Sequence, residues 1–299
     1  MIQVIRSLFG GFLMGMADLV PGVSGGTIAL VLGIYERLIA SIRAGSSALG
    51  RLLKGDIVSF RRHLGNVEWV FLLPLLAGIL TAVLSLSRVI GHQLEVNPTI
   101  MAAVFFGLVL GSVVIAIRMV KQPGPVHLWV GLVIGVAVFV LLGLGGETTV
   151  ANPSLLVFFG SGALAICAMI LPGISGSLIL VLIGMYAAVL EAVNDREFLR
   201  VGVFTIGTIV GLALFSQVLH WALRHHHDVV LAGLIGLMAG SLRVVWPWPD
   251  GVDSSALRGP EGDLTQVLIA ALVGFVAVFI VTRLASAREE KVSRQPQID

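Results

Sequence analysis

Long apolar segments alternate with short polar ones along almost the whole chain. Most of these segments contain about 20 residues, the length that an α-helix needs to cross a bilayer. Ten can be marked, covering residues 4–20, 23–42, 67–90, 98–120, 126–144, 154–171, 174–193, 200–223, 229–246 and 264–284. The pattern predicts an all-α polytopic integral membrane protein.

The composition strengthens this interpretation. Hydrophobic residues make up 57% of the chain and charged residues 12%, whereas a soluble domain has about 25% charged residues. The basic residues do not alternate with aromatic ones, so we expect no nucleic-acid partner. Cys167 is the single cysteine and lies in an apolar segment, which gives neither a disulfide framework nor the spacing of a metal site. We therefore expect neither a metal nor another cofactor.

Two pairs of neighbouring segments are separated only by a short stretch rich in glycine and serine. The first stretch, PGVSGG, covers residues 21–26, and the second, PGISGS, covers residues 172–177. Proline, glycine and serine at this density break a helix. At membrane depth such a break is tolerated only where protein or a water-filled cavity covers it. Each pair therefore predicts a broken helical hairpin, spanning or re-entrant, over residues 4–42 and 154–193.

The two breaks are copies of one another. Residues 21–39 read PGVSGGTIALVLGIYERLI, and residues 172–190 read PGISGSLILVLIGMYAAVL. The match continues beyond the hairpins, where Gly78, Ser87, Gly107 and Gly111 align with Gly207, Ser216, Gly236 and Gly240. The first half differs by one additional polar, basic loop at residues 43–65. A shared order of matching residues indicates an internal duplication.

The duplication predicts two repeats of opposite orientation. Each half contains a hairpin, which returns the chain to the side where it began, and three single spans, which carry it to the other side. The distribution of Lys and Arg then places the 43–65 loop and both termini in the cytoplasm. The predicted organisation is a first repeat 1–145 with helices within 67–144, a second repeat 146–285 with helices within 200–284, and a cytoplasmic tail 286–299.

The two hairpin tips are the candidate substrate site. Inverted repeats with broken helices are typical of secondary transporters, whose sites lie near the bilayer midplane. Helix N-termini, glycine amides and hydroxyl groups suit an anion such as phosphate. The candidate residues are Pro21, Gly22, Ser24, Gly25, Gly26 and Thr27 in the first copy, and Pro172, Gly173, Ser175, Gly176 and Ser177 in the second. The alternative is that these small residues only allow close helix packing.

Asp18 lies three residues before Pro21, within an apolar segment. An ionisable group at this depth is costly and indicates a function. Met169 occupies the equivalent position in the second copy, so the carboxylate belongs to one half only. Asp18 is a candidate for binding a coupling proton or cation, or for capping the break by accepting backbone N–H bonds.

Five further side chains are candidates for the pathway. Arg88, near the predicted outer face, either meets an anionic headgroup or extends to the interface. Tyr35 and Tyr186 occupy equivalent positions and are either interfacial aromatics or pathway hydroxyls. Glu36 and Arg37, near the predicted inner face, either pair with each other or face solvent.

No motif in the sequence indicates catalysis. The chain contains neither a GxxxxGK[ST] loop for ATP nor a GxSxG motif, and no cluster of carboxylates. The adjacent histidines at 225–227 form a poor chelate, because neighbouring residues of a helix do not share a face. We therefore expect a transporter rather than an enzyme.

The two motifs also carry a family resemblance. MADLVPGVSGGTIALVLGIYE at residues 16–36, with LPGISGSLILVLIGMY at 171–186, resembles the bacterial polyprenyl-phosphate (undecaprenyl-phosphate) transporter family. The resemblance implies transport of undecaprenyl phosphate, a C55 lipid carrier, from the outer to the cytoplasmic leaflet of the bacterial inner membrane. There the carrier is reused in cell-envelope glycan synthesis, and a proton or cation is the expected driving partner. The alternatives are a transporter of a small soluble anion, a polyprenyl-diphosphate phosphatase or a scaffold that transports nothing.

Overall fold

The computed structural model describes residues 2–20, 23–144, 149–248 and 257–293, and their regular structure is entirely α-helical. The helices are α1 Ile2–Asp18, α2 Gly25–Val31, α3 Tyr35–Leu53, α4 Ile57–Gly65, α5 Trp69–Val96, α6 Pro98–Ile117, α7 Pro125–Gly143, α8 Leu155–Ile170, α9 Gly176–Leu182, α10 Tyr186–Asn194, α11 Phe198–His225, α12 His227–Ser241 and α13 Leu264–Ser293.

Within the described residues, five helices are long and apolar enough to cross a membrane. They are α5, α6, α7, α11 and the Leu264–Arg283 part of α13. The helices α9 and α10 meet at an angle of 111° and form a sixth span if they are counted together. The shorter apolar helices α8 and α12 complete the bundle. The prediction of a polytopic, all-helical membrane protein is confirmed.

The second arm of each hairpin has an additional bend. The apolar segments 23–42 and 174–193 each contain two helices, which meet at Gly33 and Gly184 with φ of +71° and +70°. Glycine adopts this left-handed conformation without a steric penalty. The turn at Gly33 is closed by a hydrogen bond from the Ile34 N–H to the Ala29 carbonyl, at 3.0 Å. A hydrogen-bonded turn of this kind, which spans six residues, is typical of a helix that ends at glycine.

The polar segments are more helical than the sequence prediction. Residues 43–65 were expected to form a loop, but α3 continues to Leu53 and α4 occupies most of the remainder. Asp56 caps α4, because its carboxylate accepts a hydrogen bond from the Ser59 N–H at 3.0 Å. The α13 helix likewise extends past residue 285 into the expected tail, of which residues 294–299 lie outside the described part of the chain.

The first and second halves use the same close helix contacts. In the first half α1 packs against α5, and in the second half α8 packs against α11. A Cβ on Gly11 or Gly78 would lie 1.9 or 2.0 Å from a carbonyl oxygen of the facing helix. A Cβ on Gly162 or Gly207, which occupy the equivalent positions, would lie 2.3 or 2.1 Å from one. Only glycine permits these backbones to approach so closely.

The remaining long helices interlock the two halves. The α6 helix of the first half packs against α13 of the second, and α12 of the second packs against α7 of the first. Gly107 and Gly236, which align in the repeat, form the close contacts, because a Cβ would lie 1.8 and 2.4 Å from the carbonyl oxygens of Ala271 and Gly131. The orientation of each half relative to the membrane stays a prediction.

Candidate functional site

The first break lies between the end of α1 and the start of α2. The Asp18 Oδ1 atom accepts a hydrogen bond from the Gly25 N–H at 2.6 Å, and Ser24 Oγ accepts one from the Gly26 N–H at 3.1 Å. A Cβ on Gly25 would lie 2.6 Å from Asp18 Oδ2, so a larger residue would displace the carboxylate from its hydrogen bond. Asp18 therefore caps the break in this state, as one of the two sequence-based hypotheses proposed.

The two breaks contact each other through hydrogen bonds between the halves. Thr27 Oγ1 accepts a hydrogen bond from the Gly173 N–H at 2.9 Å. The Ser24 hydroxyl lies 3.3 and 3.2 Å from the carbonyl oxygens of Met169 and Leu171, to which it donates. Thr27 and Ser24 are fully buried, at 0% and 1% exposure. The fold thus brings together two loops that are distant in sequence.

The two equivalent tyrosines have different environments. Tyr35 is buried, and its hydroxyl donates to the Ile170 carbonyl at 3.3 Å. Tyr186 is 45% exposed. The first hairpin is therefore closed onto the second, whereas the second leaves its own tyrosine accessible.

The second break presents accessible hydroxyl groups. Ser175 precedes α9 as its N-cap residue, but its side chain makes no capping hydrogen bond. Its Oγ lies 2.7 Å from the Oγ of Ser177, which is exposed. The equivalent of Asp18 is Met169, so no carboxylate from that position reaches these hydroxyls. One hydroxyl proton is used between the two serines, and the other is available to donate a hydrogen bond to an anion.

The prolines and remaining glycines of the motifs form the backbone of the two tips. Pro172 and Gly173 are buried, while Gly176 is partly exposed. Gly173 has φ of +87°, and a Cβ there would lie 2.7 Å from the Cα of Met238. Pro21 and Gly22 lie outside the described residues.

Glu36 lies in the first turn of α3 and takes part in a network that joins the two halves. Its Oε1 atom is 2.9 Å from His227 Nε2, and His227 Nδ1 is 2.8 Å from Asp228 Oδ1. The other carboxylate oxygen of Asp228 accepts the Gln122 N–H at 2.9 Å. Sequence reasoning missed this network, since Glu36 and His227 are far apart in the chain and only the tertiary fold, in which α3 packs against α11, brings them together.

The two remaining arginine candidates lie outside the tips. Arg37 pairs with Glu68, at 2.8 Å for Nε, and stacks over the Phe71 ring at 4.2 Å. Arg37 and Glu36 therefore do not pair with each other. Arg88 is exposed on α5, and no hydrogen bond or ion pair joins it to the other described residues.

Comparisons with known proteins agree on one family. Residues 14–261 match the family described as undecaprenyl phosphate translocase-like. The chain is 43% identical over 253 residues to a polyprenyl-phosphate transporter of Vibrio cholerae, an alignment that covers 83% of this chain and 80% of the relative. It is 30% identical over 299 residues to a polyprenyl-phosphate transporter of Staphylococcus aureus, covering 95% and 98%.

Both relatives are named as transporters rather than as enzymes. No solved structure matches the chain. The resemblance that the two PG[VI]SG motifs carried is confirmed, because the family match includes both motifs and most of the residues between and beyond them. The chain belongs to the undecaprenyl phosphate translocase-like family.

Proposed function

We propose that this protein transports undecaprenyl phosphate from the outer to the cytoplasmic leaflet of the bacterial inner membrane, where the carrier is reused for glycan synthesis. One observation carries the proposal: the duplicated breaks meet inside an apolar bundle, and one of them presents the accessible hydroxyls of Ser175 and Ser177, which are hydrogen-bonded to each other. The names of the relatives support a polyprenyl phosphate as substrate.

The headgroup explains why polar breaks are needed. A phosphate monoester is charged and cannot enter hydrocarbon without replacement of its hydration shell. The Ser175 and Ser177 hydroxyls replace water on the accessible side. The prenyl tail is apolar throughout and remains in the lipid while the headgroup moves between the halves.

Alternating access follows from the unequal closure of the two halves. The α3 helix packs along α11 of the other half, and the Ser46 and Ser216 hydroxyls are 3.4 Å apart. The α10 helix, which is equivalent to α3, makes no extensive contact with α5 among the described residues. The bundle is therefore closed at the end where Glu36 meets His227 and more open near Ser175.

The Glu36 network is the gate of this mechanism. It joins α3, α12 and the connection between α6 and α7, which belong to both halves. A neutral imidazole donates through one nitrogen only, so the complete network requires both ring protons of His227. Separation of Glu36 from His227 opens the predicted cytoplasmic end and releases the headgroup there.

A coupling ion acts at Asp18 in this scheme. The carboxylate caps α2 in the closed first half, and its protonation or binding of a cation weakens its acceptance of the Gly25 N–H. The first break then loosens when the ion arrives. The coupling thus resides in the half whose tip is buried.

Reconstituted protein tests the function. Proteoliposomes that contain a fluorescent polyprenyl phosphate are assayed for movement of the label between leaflets, with a soluble labelled phosphate as a second cargo. The Ser175→Ala/Ser177→Ala variant should lower lipid movement at least tenfold and remain stable, because Ser175 makes no capping bond. The matched control is Ser85→Ala/Thr208→Ala, which removes one exposed and one partly exposed hydroxyl that bond only within α5 and α11.

Three results contradict the proposal. Unchanged lipid movement in the Ser175→Ala/Ser177→Ala variant would show that these hydroxyls do not bind the headgroup. Uptake of the soluble phosphate without lipid movement indicates a soluble anion as cargo. Release of phosphate from a polyprenyl diphosphate indicates a phosphatase.

A further inference from the structure

The segment that only the first half contains forms a helical hairpin with a basic surface. It consists of the end of α3 and the whole of α4, covers residues 43–65, and is called the basic hairpin below. Its basic residues are Arg43, Arg51, Lys54, Arg61 and Arg62, and all of them are exposed. Asp56 is its one acidic residue.

The charges of the basic hairpin are largely uncompensated. Arg51 lies 3.9 Å from Asp56, which is the one ion pair within the segment among the described residues. Hydrogen bonds from Ser59 hold the pKa of Asp56 below its usual range, so the carboxylate is ionised but already occupied by capping α4. Neither Arg61 nor Arg62 forms an ion pair in the part of the chain that the structure describes, although Arg62 is near enough to Asp56 to help lower the pKa of that carboxylate.

Apolar side chains accompany these charges. Ile57 is 58% exposed and Val58 74% exposed, and no residue of α4 is buried. Val58, Arg61 and Arg62 are spaced i, i+3 and i+4, so they share the outward face of the helix. An exposed apolar residue flanked by long basic side chains is typical of a helix that lies in the membrane interface.

The position of α4 also fits the interface. The Trp69 indole N–H donates to the Leu64 carbonyl at 3.0 Å, which ties the end of α4 to the start of the membrane-spanning α5. Trp69 is 42% exposed, and tryptophan is enriched where a span leaves the hydrocarbon. The end of α4 thus lies at the depth of the lipid headgroups rather than far from the bilayer.

We infer that the basic hairpin binds the acidic phospholipid headgroups of the membrane surface, with Arg61 and Arg62 on the phosphates and Val58 in the interface. The positive side chains of the basic hairpin attract the negative headgroups, and its exposed apolar side chains favour a lipid surface over a soluble acidic partner. The second repeat has no equivalent segment, so the contact forms on one side of the protein only. This inference does not depend on which lipid the protein transports.

Quenching of a label on α4 tests the contact. Full-length protein with Cys167→Ala and Val58→Cys carries an environment-sensitive fluorophore in nanodiscs of phosphatidylcholine alone or with added phosphatidylglycerol. We expect acrylamide, a neutral quencher that the surface charge does not repel, to quench the label about threefold less in the acidic discs, because the basic side chains hold α4 against the anionic headgroups. High salt should remove the difference because it shortens the screening length to about 3 Å.

Matched variants assign the effect to the basic hairpin. Arg61→Gln/Arg62→Gln should abolish the protection by acidic lipid, and Arg61→Lys/Arg62→Lys should keep it. Arg118→Gln/Lys121→Gln removes the same charge from another exposed polar segment and should leave the protection intact. Monodisperse elution of each variant verifies its fold.

Two results overturn the inference. Equal quenching in neutral and acidic discs shows that the basic hairpin does not meet the headgroups. Equal loss of protection in the Arg61→Gln/Arg62→Gln and Arg118→Gln/Lys121→Gln variants shows a general effect of net charge. Both readouts are obtained without a transported lipid, so failure of the transport assay and failure of this contact are distinguishable.

Discussion

The backbone N–H of Gly173 donates a hydrogen bond to Thr27 Oγ1 across 2.9 Å, and this bond joins the two copies of the repeated loop. Both residues are buried. Leu178 occupies the position equivalent to Thr27 and has no side-chain acceptor, so the contact distinguishes two loops that the sequence presents as near-identical.

Thr27→Val keeps the shape of the side chain and removes the acceptor. The Gly173 N–H is then buried without its partner, which costs about 1–3 kcal/mol. We expect a lower apparent Tm in detergent, measured by the fluorescence of the protein on heating. Thr81→Val is the control, since Thr81 is exposed on α5 and donates to its own helix at 2.7 Å. An unchanged Tm for Thr27→Val would show that the bond does not hold the halves together.

Asp18→Asn separates the capping and coupling roles of this residue. The asparagine oxygen still accepts the Gly25 N–H, but the side chain no longer carries a charge or binds a proton. We expect a Tm near that of the parent and loss of the stimulation of lipid movement by a proton or sodium gradient. Asp18→Ala also removes the cap and should cost about 0.5–2 kcal/mol of stability. Gradient-driven transport that persists in Asp18→Asn would place the coupling site elsewhere.

Three glycines test the effect of backbone conformation and space. Gly173→Ala should be severely destabilising, because the residue has φ of +87° and its Cβ would lie 2.7 Å from Met238 Cα. A Cβ on Gly33 would contact no other atom, but the residue has φ of +71°. Gly33→Ala should therefore lower the stability of the fold by about 1 kcal/mol through backbone strain alone. Gly45→Ala, in open space within α3, should stabilise by about 0.5–1 kcal/mol. We therefore expect Tm to be lowest for Gly173→Ala, intermediate for Gly33→Ala and highest for Gly45→Ala. Any other order of the three measured Tm values contradicts this account.

A disulfide between α3 and α11 should lock the closed end of the bundle. The Ser46 and Ser216 oxygens are 3.4 Å apart, so cysteines at these positions, in a Cys167→Ala chain, lie within reach of oxidation. Oxidation should stop lipid movement, and a reductant should restore it. Full movement with a complete cross-link would show that this end does not open.

Glu36→Gln weakens the proposed gate and should slow formation of the same cross-link. The lost charge on an exposed pair is worth about 0.2–1 kcal/mol, which corresponds to about a 1.4-fold to fivefold lower rate. Glu197→Gln is the matched control, because Glu197 pairs with Arg200 within the second half at 2.8 Å. Equal cross-linking rates for the parent and Glu36→Gln would show that the contact of Glu36 with His227 does not hold this end closed.

The sequence could predict the membrane class and the duplicated breaks because both depend on local composition. A run of about 20 apolar residues identifies a span wherever it lies, and Pro, Gly and Ser in six positions break a helix in any context. The bends at Gly33 and Gly184 were not predicted, although both glycines were aligned. A single glycine costs a helix only about 1 kcal/mol, so tertiary packing decides whether the chain turns there.

The sequence by itself determined that the protein lies in a membrane, that it carries two copies of a polar break, and that Asp18 belongs to one copy only. Tertiary structure decided which groups the breaks use. It directs Asp18 to the Gly25 N–H, joins Thr27 to Gly173, pairs Glu36 with His227, and leaves Ser175 and Ser177 accessible. The physical reason is that each of these bonds depends on the approach of backbones from different helices, which close glycine contacts permit and which no local pattern of hydrophobic and polar residues encodes.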